Sequence, residues 1–352
     1  MPSIKTPLTE LLNVDVPIIS APMATAATPE LAAAVTSAGG FGMIGAGVSS
    51  SKTLKGDIER IRNKLRIDAD KPVPIGVGML GWVLDAIPEQ SLEAVLDEKP
   101  VAVWLAFGSD LGKYVTRIRV HDSKCSRKTI VFVIVNSVEM ALKAADDWKV
   151  DVIVVQGIEA GGHGGARAPP LFDLLPAILD AVPNGPLVVG AGGISNGSQI
   201  AALLTLGAHG VVLGTRFLFT PECQYSSQQK EILLKAGLND TTRSLAFDEV
   251  ARLDLWPHEL TGRAISNNII EDLHDGLDLE TRLKKYDESA AAGDTSRLIV
   301  WAGVGAGLVK NILPAAEIVS ELRKDTVAYL KGACKLAQIS EYTQHPLHKY
   351  GL

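Results

Sequence analysis

Aromatic rings are scarce in this chain, 5% of its 352 residues, with five tryptophans among them. Ala, Val, Leu, Ile and Gly dominate instead, a palette suited to buried parallel strands and close helix–strand packing. Cysteine is nearly absent: Cys125, Cys223 and Cys334 lie far apart, which excludes a disulfide framework and a metal knuckle, and no metal is expected. Basic charge is not in excess, since 34 Lys and Arg stand against 40 Asp and Glu for a net charge of −6. With no basic block and no basic–aromatic interleaving, nucleic acid is not an expected partner. No apolar run approaches the ~18 residues of a bilayer span, so no membrane is expected either. The opening residues from Met1 to Pro7 show neither the charged nor the apolar region of a signal peptide, and Lys349 to Leu352 match no common tripeptide sorting signal. A reducing, cytoplasmic setting is the expectation.

What is present is a 47% hydrophobic chain with a strict alternation of short apolar runs and helical patterns. Strands are expected at residues 16–20, 41–44, 74–78, 101–105, 130–135, 152–155, 186–190 and 210–213. Thr28-Pro29-Glu30 supplies an N-cap, an N1 proline and an early acid for a helix through Ala38, which Gly39-Gly40 stops. Further helices are expected near residues 51–65, 88–97, 137–147 and 197–206. Eight strand–helix units within about 215 residues match a (β/α)8 TIM barrel, with a doubly wound open sheet as the alternative. A barrel places its chemistry at the C-terminal ends of the strands and binds phosphate after strands seven and eight. Those ends are Ala191-Gly192-Gly193-Ile194 and Gly214-Thr215, which offer backbone N–H groups and a hydroxyl suited to a phosphate monoester. Each glycine pair also reads as an ordinary tight turn.

The sixth strand runs into Gln156-Gly157-Ile158-Glu159-Ala160-Gly161-Gly162-His163-Gly164-Gly165, one histidine among five glycines. Glycines let a backbone wrap closely around a flat or anionic ligand, and a histidine there can act as a base near neutral pH. A turn with a helix-capping histidine reads as well from these residues alone. Glu159 is expected to take a structural hydrogen bond and His209, just before strand eight, to be structural or on the surface. His121, His258, His345 and His348 fall in polar loops or the tail and are expected to be solvated. Residues 221–297 hold helical stretches, many charges and no clear strands, which suggests a helical insertion over the mouth of a barrel formed by 1–220 and 298–330, with 331–352 as a tail. Gly303, Gly305 and Gly307, at alternate positions before a helix near 314–322, suggest either close backbone approach or helix packing.

At these residues the chain resembles the nitronate monooxygenase family, formerly called 2-nitropropane dioxygenases. Residues 17–24 and 38–42 are similar to its opening, Gln156 to His163 to its central signature, and Ala191 to Ile194 and Leu213 to Phe217 to its phosphate-binding strand ends. The similarity runs collinearly from about residue 16 to 219 and resumes near Trp301 to Val319. It implies a TIM barrel holding FMN non-covalently, and oxidation of a small nitronate or nitroalkane by O2 to a carbonyl compound and nitrite. Carried over by position, Pro22, Met23 and Ala24 lie against the flavin ring, Gln156 reaches its polar edge, and Ala160, Gly161 and Gly162 pass beside it. Gly192, Gly193, Gly214 and Thr215 hold the phosphate, with Val212 and Leu213 contributing from strand eight. Gly78 stands where the family often has an asparagine beside the flavin, a departure that removes a polar contact. His163 matches the catalytic histidine.

The chemistry agrees with that placement. A neutral imidazole removes a proton α to a nitro group, and as imidazolium it stabilises the anionic nitronate, while the flavin supplies the redox step. Met23, Trp104 or Phe107 would line an apolar chamber for a small alkyl substrate. Flavin-dependent enoyl-acyl-carrier-protein and NADH:quinone reductases carry related loops, so an NAD(P)H-dependent flavin reductase is the alternative function, and the Gly303 to Gly307 run lacks a GxGxxG spacing. A decayed, non-catalytic flavin binder fits less well with His163 and the phosphate glycines all present. An IMP-dehydrogenase-like barrel needs a strand-end cysteine that neither Cys125 nor Cys223 supplies. A monomer or homodimer is expected.

Overall fold

The computed structural model describes residues 3–336 apart from 88, 89, 126, 254, 255 and 258. The expected helix start at Pro88, and His258, His345 and His348, lie outside the described residues. Strands β1 (Ile18–Ser20), β2 (Met43–Gly45), β3 (Val73–Leu80), β4 (Pro100–Ala106), β5 (Ile130–Val135) and β6 (Val152–Gln156) are followed by a short strand, β7 (Gly162–Gly165), and then by β8 (Leu187–Ala191) and β9 (Gly210–Leu213). Eight of these form one parallel sheet in the order β1-β9-β8-β6-β5-β4-β3-β2. Its two ends meet through a parallel bridge between Ile19 and Phe41, where the Phe41 N–H donates to Ile18 O at 2.9 Å and the Ser20 N–H to Phe41 O at 3.0 Å. The sheet therefore curls into the expected TIM barrel rather than an open doubly wound sheet.

Period-two alternation explains both layers of its core. Ile19, Met43, Trp104, Phe132, Val154, Val189 and Val212 point inward and fill the barrel, with Phe132 stacked between Phe41 and Trp104 at 6.4 and 6.2 Å. Their strand neighbours Ile18, Val103, Val131, Ile153, Val188 and Leu213 point outward onto the surrounding helices. The helix Pro7–Leu12 closes the floor, sending Leu8 and Leu12 into the inner layer.

Residues 221–297 depart from the expected all-helical insertion. They contain helices Ser227–Lys235, Ala246–Val250, Asn268–His274 and Leu279–Ala292, but also strands β10 (Thr241–Ser244) and β11 (Leu260–Ile265). β11 pairs antiparallel with β10 on one side and with β7 on the other. The sequence Gly-His-Gly-Gly has no strand pattern of its own; β11 supplies the missing hydrogen-bonding edge. The last helix, Ala315–Leu336, reaches beyond residue 330 into the stretch expected as a tail. Among the described residues no helix is long and apolar enough to cross a membrane.

The N-terminal end of the barrel is pinned by charge. Asp151, just before β6, accepts from the Val131 N–H at 2.8 Å, from Arg119 Nη2 at 2.7 Å and from Lys128 Nζ at 2.5 Å. Burial pushes the Asp151 carboxyl up, but Lys128, the Val131 amide and Arg119 together outweigh it and hold the group below the ordinary carboxylate range. A carboxyl lowered in the folded state contributes stability that is complete above its unfolded value of about 4 and is lost as pH falls through the folded value. Asp151→Asn is thus expected to lower the melting temperature at pH 7, with the gap to the parent closing between about pH 4 and pH 2. A gap that stays constant in thermal melts from pH 7 to pH 2.5 would exclude this ionic contribution.

Candidate active site

At the opposite end of the strands one cavity of about 770 Å³ gathers most of the residues singled out from the sequence. Pro22, Met23 and Ala24 line it from the β1 end, Gly78 from β3, Gln156 from β6, Ala160, Gly161, Gly162 and His163 from the glycine loop, and Gly192, Gly193, Val212, Gly214 and Thr215 from the ends of β8 and β9. Met23, Trp104 and Phe107 all line it as well. Leu213 does not reach it: the alternation that turns Val212 inward turns Leu213 into the helix-facing layer.

Gly78 has a reason of its own. A Cβ there would stand 2.4 Å from the Pro22 Cβ, so the Pro22 ring occupies the volume an asparagine would need. Gln156 is also partly engaged, donating from Nε2 to the His163 carbonyl at 3.2 Å and accepting from Asn136 Nδ2 at 3.1 Å. Its first task is to hold β7. At the β8 end, Gly192 and Gly193 have φ of +112° and +71°, a backbone that side chains rarely adopt and that leaves the turn bare toward the cavity. Gly214, with negative φ and ordinary 3.5 Å contacts around a Cβ, has room for a side chain.

His163 sits on β7 opposite Gly262 of β11 and is held on three sides. Its Nε2 lies 2.8 Å from Asp248 Oδ1, the two side chains being only 10% and 6% exposed. Trp256 lies flat on the imidazole, 3.7 Å between centroids and 2° between planes, and Trp301 approaches at 5.1 Å. Gly262 must be glycine for this to happen, since a Cβ there would stand 2.2 Å from the Trp301 ring. A carboxylate can only accept, so Nε2 carries the proton and Nδ1 is the ring's accepting atom. Asp248, Trp256 and Trp301 were not singled out from the sequence, because the first two belong to the 221–297 insertion and nothing near them spells a motif.

The loop itself is braced by guanidinium groups. Arg243, on β10, donates from Nη2 to Ala160 O at 2.7 Å and from Nη1 to Thr261 O, Gly164 O and Gly162 O, while Arg263, on β11, donates to Ile158 O at 3.2 and 3.3 Å. Burial, with Arg263 nearby, pushes Arg243 down to about 10, so it stays charged at neutral pH. Glu159 accepts from the Leu171 N–H at 3.1 Å at the start of the helix Leu171–Ala181, a structural bond as expected. His209 is likewise structural: its Nδ1 accepts from the Val188 N–H at 3.0 Å at the barrel floor, and burial lowers its pKa.

The comparisons with known proteins agree with this geometry. The family model described as nitronate monooxygenase matches residues 5–80 and 81–325. The chain belongs to the nitronate monooxygenase family. It is 34% identical over 342 residues to a nitronate monooxygenase of Neurospora crassa, covering 89% of this chain and 90% of that one. Among solved structures, FabK from Thermotoga maritima aligns with a TM-score of 0.76 at 27% identity, covering 95% of this chain and all of that one. A nitroalkane oxidase from Streptomyces ansochromogenes aligns with a TM-score of 0.75 at 26% identity, covering 93% and 99%. Family membership makes the chain an oxidoreductase enzyme acting on a small molecule.

Gly303, Gly305 and Gly307 resolve in favour of close backbone approach. A Cβ on Gly161 would lie 2.3 Å from the Gly303 nitrogen, one on Gly305 2.7 Å from Gly193 O, and one on Gly307 2.4 Å from the Leu238 nitrogen. Backbone cannot yield as a side chain can. Gly161→Ala is therefore expected to destabilise the fold by on the order of 1–3 kcal/mol and to displace His163. Denaturant unfolding measures the first, and unchanged stability would show that the two segments part freely.

Proposed function

We propose that the cavity holds FMN and that the enzyme oxidises alkyl nitronates, and nitroalkanes after deprotonation, with O2. The observation that carries this reading is His163 held by Asp248 and Trp256 at the wall of a cavity that also contains the Gly192-Gly193 turn. The residues present fit the cofactor. The bare turn at Gly192 and Gly193, with Gly214 and the Thr215 hydroxyl, would hold the phosphate, while Pro22, Met23, Ala24, Gly78 and Gly161 leave flat, unencumbered walls for a ring system. The bound flavin would supply the electron transfer between nitronate and O2.

The chain's own part is proton handling and exclusion of water. Nδ1 of His163 takes the α-proton of a nitroalkane, leaving a nitronate beside an imidazolium whose charge Asp248 balances. The net reaction converts two nitronates and one O2 into two carbonyl compounds and two nitrite ions, so O2 is the only further oxidant required. Trp256 and Trp301 fix the ring plane, which holds the imidazole in one orientation without rotamer search.

Three variants test this reading. His163→Asn is expected to retain flavin but lose about 10²- to 10⁴-fold on neutral nitroalkanes, and far less on preformed nitronates, because only the former need a base. Asp248→Asn, which removes both the orienting acceptor and the charge that balances the imidazolium, is expected to cost on the order of 10²-fold in kcat on nitroalkanes with little change in KM or flavin content. Equal losses on both substrate forms would remove the proton-abstraction role. Gly193→Val, forced against φ of +71°, is expected to purify nearly colourless; full flavin there would move the phosphate elsewhere. Nitrite release from propyl-1-nitronate in air without NADH supports the whole. Rapid NADH consumption without nitrite would favour the flavin reductase alternative instead.

A further inference from the structure

The chain's few aromatic rings are not spread evenly. Four of its five tryptophans, Trp82, Trp104, Trp256 and Trp301, line the cavity that contains His163, together with Phe107. Trp256 is the hub, with Trp82 edge-on at 5.3 Å, Phe107 edge-on at 5.6 Å and the imidazole flat beneath it at 3.7 Å. Trp104 is buried in the barrel core, but Trp82, Phe107, Trp256 and Trp301 are only partly buried and offer a face-and-edge surface to another flat apolar group.

Charge is arranged the other way. Among the described residues that line the cavity, the ionisable side chains of Asp, Glu, Lys, Arg and His are those of Glu30, Asp57, Arg60 and His163. Arg60, on the exposed helix Ser51–Leu65, already donates to Glu30 at 2.8 Å and to Asp57 at 3.4 Å. Arg243 and Arg263 do not line the cavity and direct their donors to loop carbonyls. Beside His163 stands Asp248, whose second carboxylate oxygen is buried with no hydrogen-bond partner among the described residues. A substituent carrying its own negative charge would lose its water there and find no free cation among the described residues.

Resting on the nitronate reading above, we propose that the enzyme selects nitro compounds whose side chain is uncharged and flat or broadly apolar. Arylnitromethanes are the class that fits, and substrates bearing a carboxylate are rejected. The aromatic wall binds the side chain, and the nitronate carbon is left beside His163 and the flavin.

The test compares, on the flavin-loaded protein, kcat/KM for the nitronate of phenylnitromethane with that for propionate-3-nitronate. A preference of about 100-fold or more for the aryl substrate is expected. Leu253→Arg, at a lining residue that is 40% exposed, is expected to shift that ratio at least about tenfold toward the carboxylate by supplying a cation. Calorimetric binding of nitrobenzene and 4-nitrobenzoate, neither of which has an α-proton to lose, measures selection without turnover. Nitrobenzene binding at least about tenfold tighter supports the inference even if no nitronate yields nitrite, in which case only the nitronate reading fails. Equal affinity for the two, or equal kcat/KM for the two nitronates, overturns the inference and leaves nitronate oxidation standing.

Discussion

Gly161 and Gly303 approach so closely that neither position has space for a Cβ, and the mouth of the barrel is assembled around that contact. The Gly303 N–H donates to Thr215 Oγ1 at 2.9 Å, and the Val304 N–H donates to Glu159 O at 3.1 Å. Two residues on, Ser195 Oγ donates to Gly305 O at 2.8 Å. One short segment, Val304–Leu308 with its leading glycine, thus ties the ends of β6, β8 and β9 together by main chain. The histidine loop and the glycine turn at 192–193 consequently share one rigid support. A site built on a shared support keeps its reacting groups in fixed relation, which is what proton transfer between positioned atoms requires.

Five glycines in ten residues carry a large entropic cost on ordering, so the loop cannot hold its own shape. The arginines of β10 and β11 supply what the loop lacks. A guanidinium presents five donors in a planar fork and can bind several carbonyls at once, as Arg243 does with Ala160, Gly162, Gly164 and Thr261. Among the described residues no carboxylate pairs with Arg243; it is solvated by backbone dipoles. The insertion therefore contributes structure to the site before it contributes chemistry, and β7 exists only because β11 lies beside it.

The barrel was legible because its strands are short apolar runs at regular spacing, several of them running into glycine, and because a parallel strand buried on both faces needs no partner pattern to be seen. His163 and the turn at Gly192-Gly193 were legible for the same reason: they stand at strand ends, where a barrel puts its chemistry. Asp248 was not, since it lies 85 residues from His163 in a five-residue helix whose sequence, Ala-Phe-Asp-Glu-Val, has no signature. Gly78 read as a lost polar contact because its cause, the Pro22 ring, is distant in sequence. Leu213 was misplaced although period two, applied from Val212, places it outside. A glycine-rich strand such as β7 has no hydrophobic period, and only its partner defines it.

The two ends of the barrel have divided their tasks, and the unpartnered atoms show it. Seven buried side-chain nitrogen or oxygen atoms lack a hydrogen-bond partner among the described residues, and Trp82 Nε1, Arg243 Nε, Asp248 Oδ2 and Thr261 Oγ1 belong to the aromatic cluster and strands around His163. Each such atom costs about 1–3 kcal/mol, a sum that a marginally stable fold tolerates only if stability is concentrated elsewhere. The floor contrasts with this: there Asp151 and Asp122 satisfy three backbone and side-chain donors of β5 and its approach, and Leu8 and Leu12 seal the inner layer. Asp248 follows the same logic. A carboxylate with one oxygen on His163 and the other idle is poorly placed for the resting protein, but well placed for a histidine that must accept a charge during the reaction.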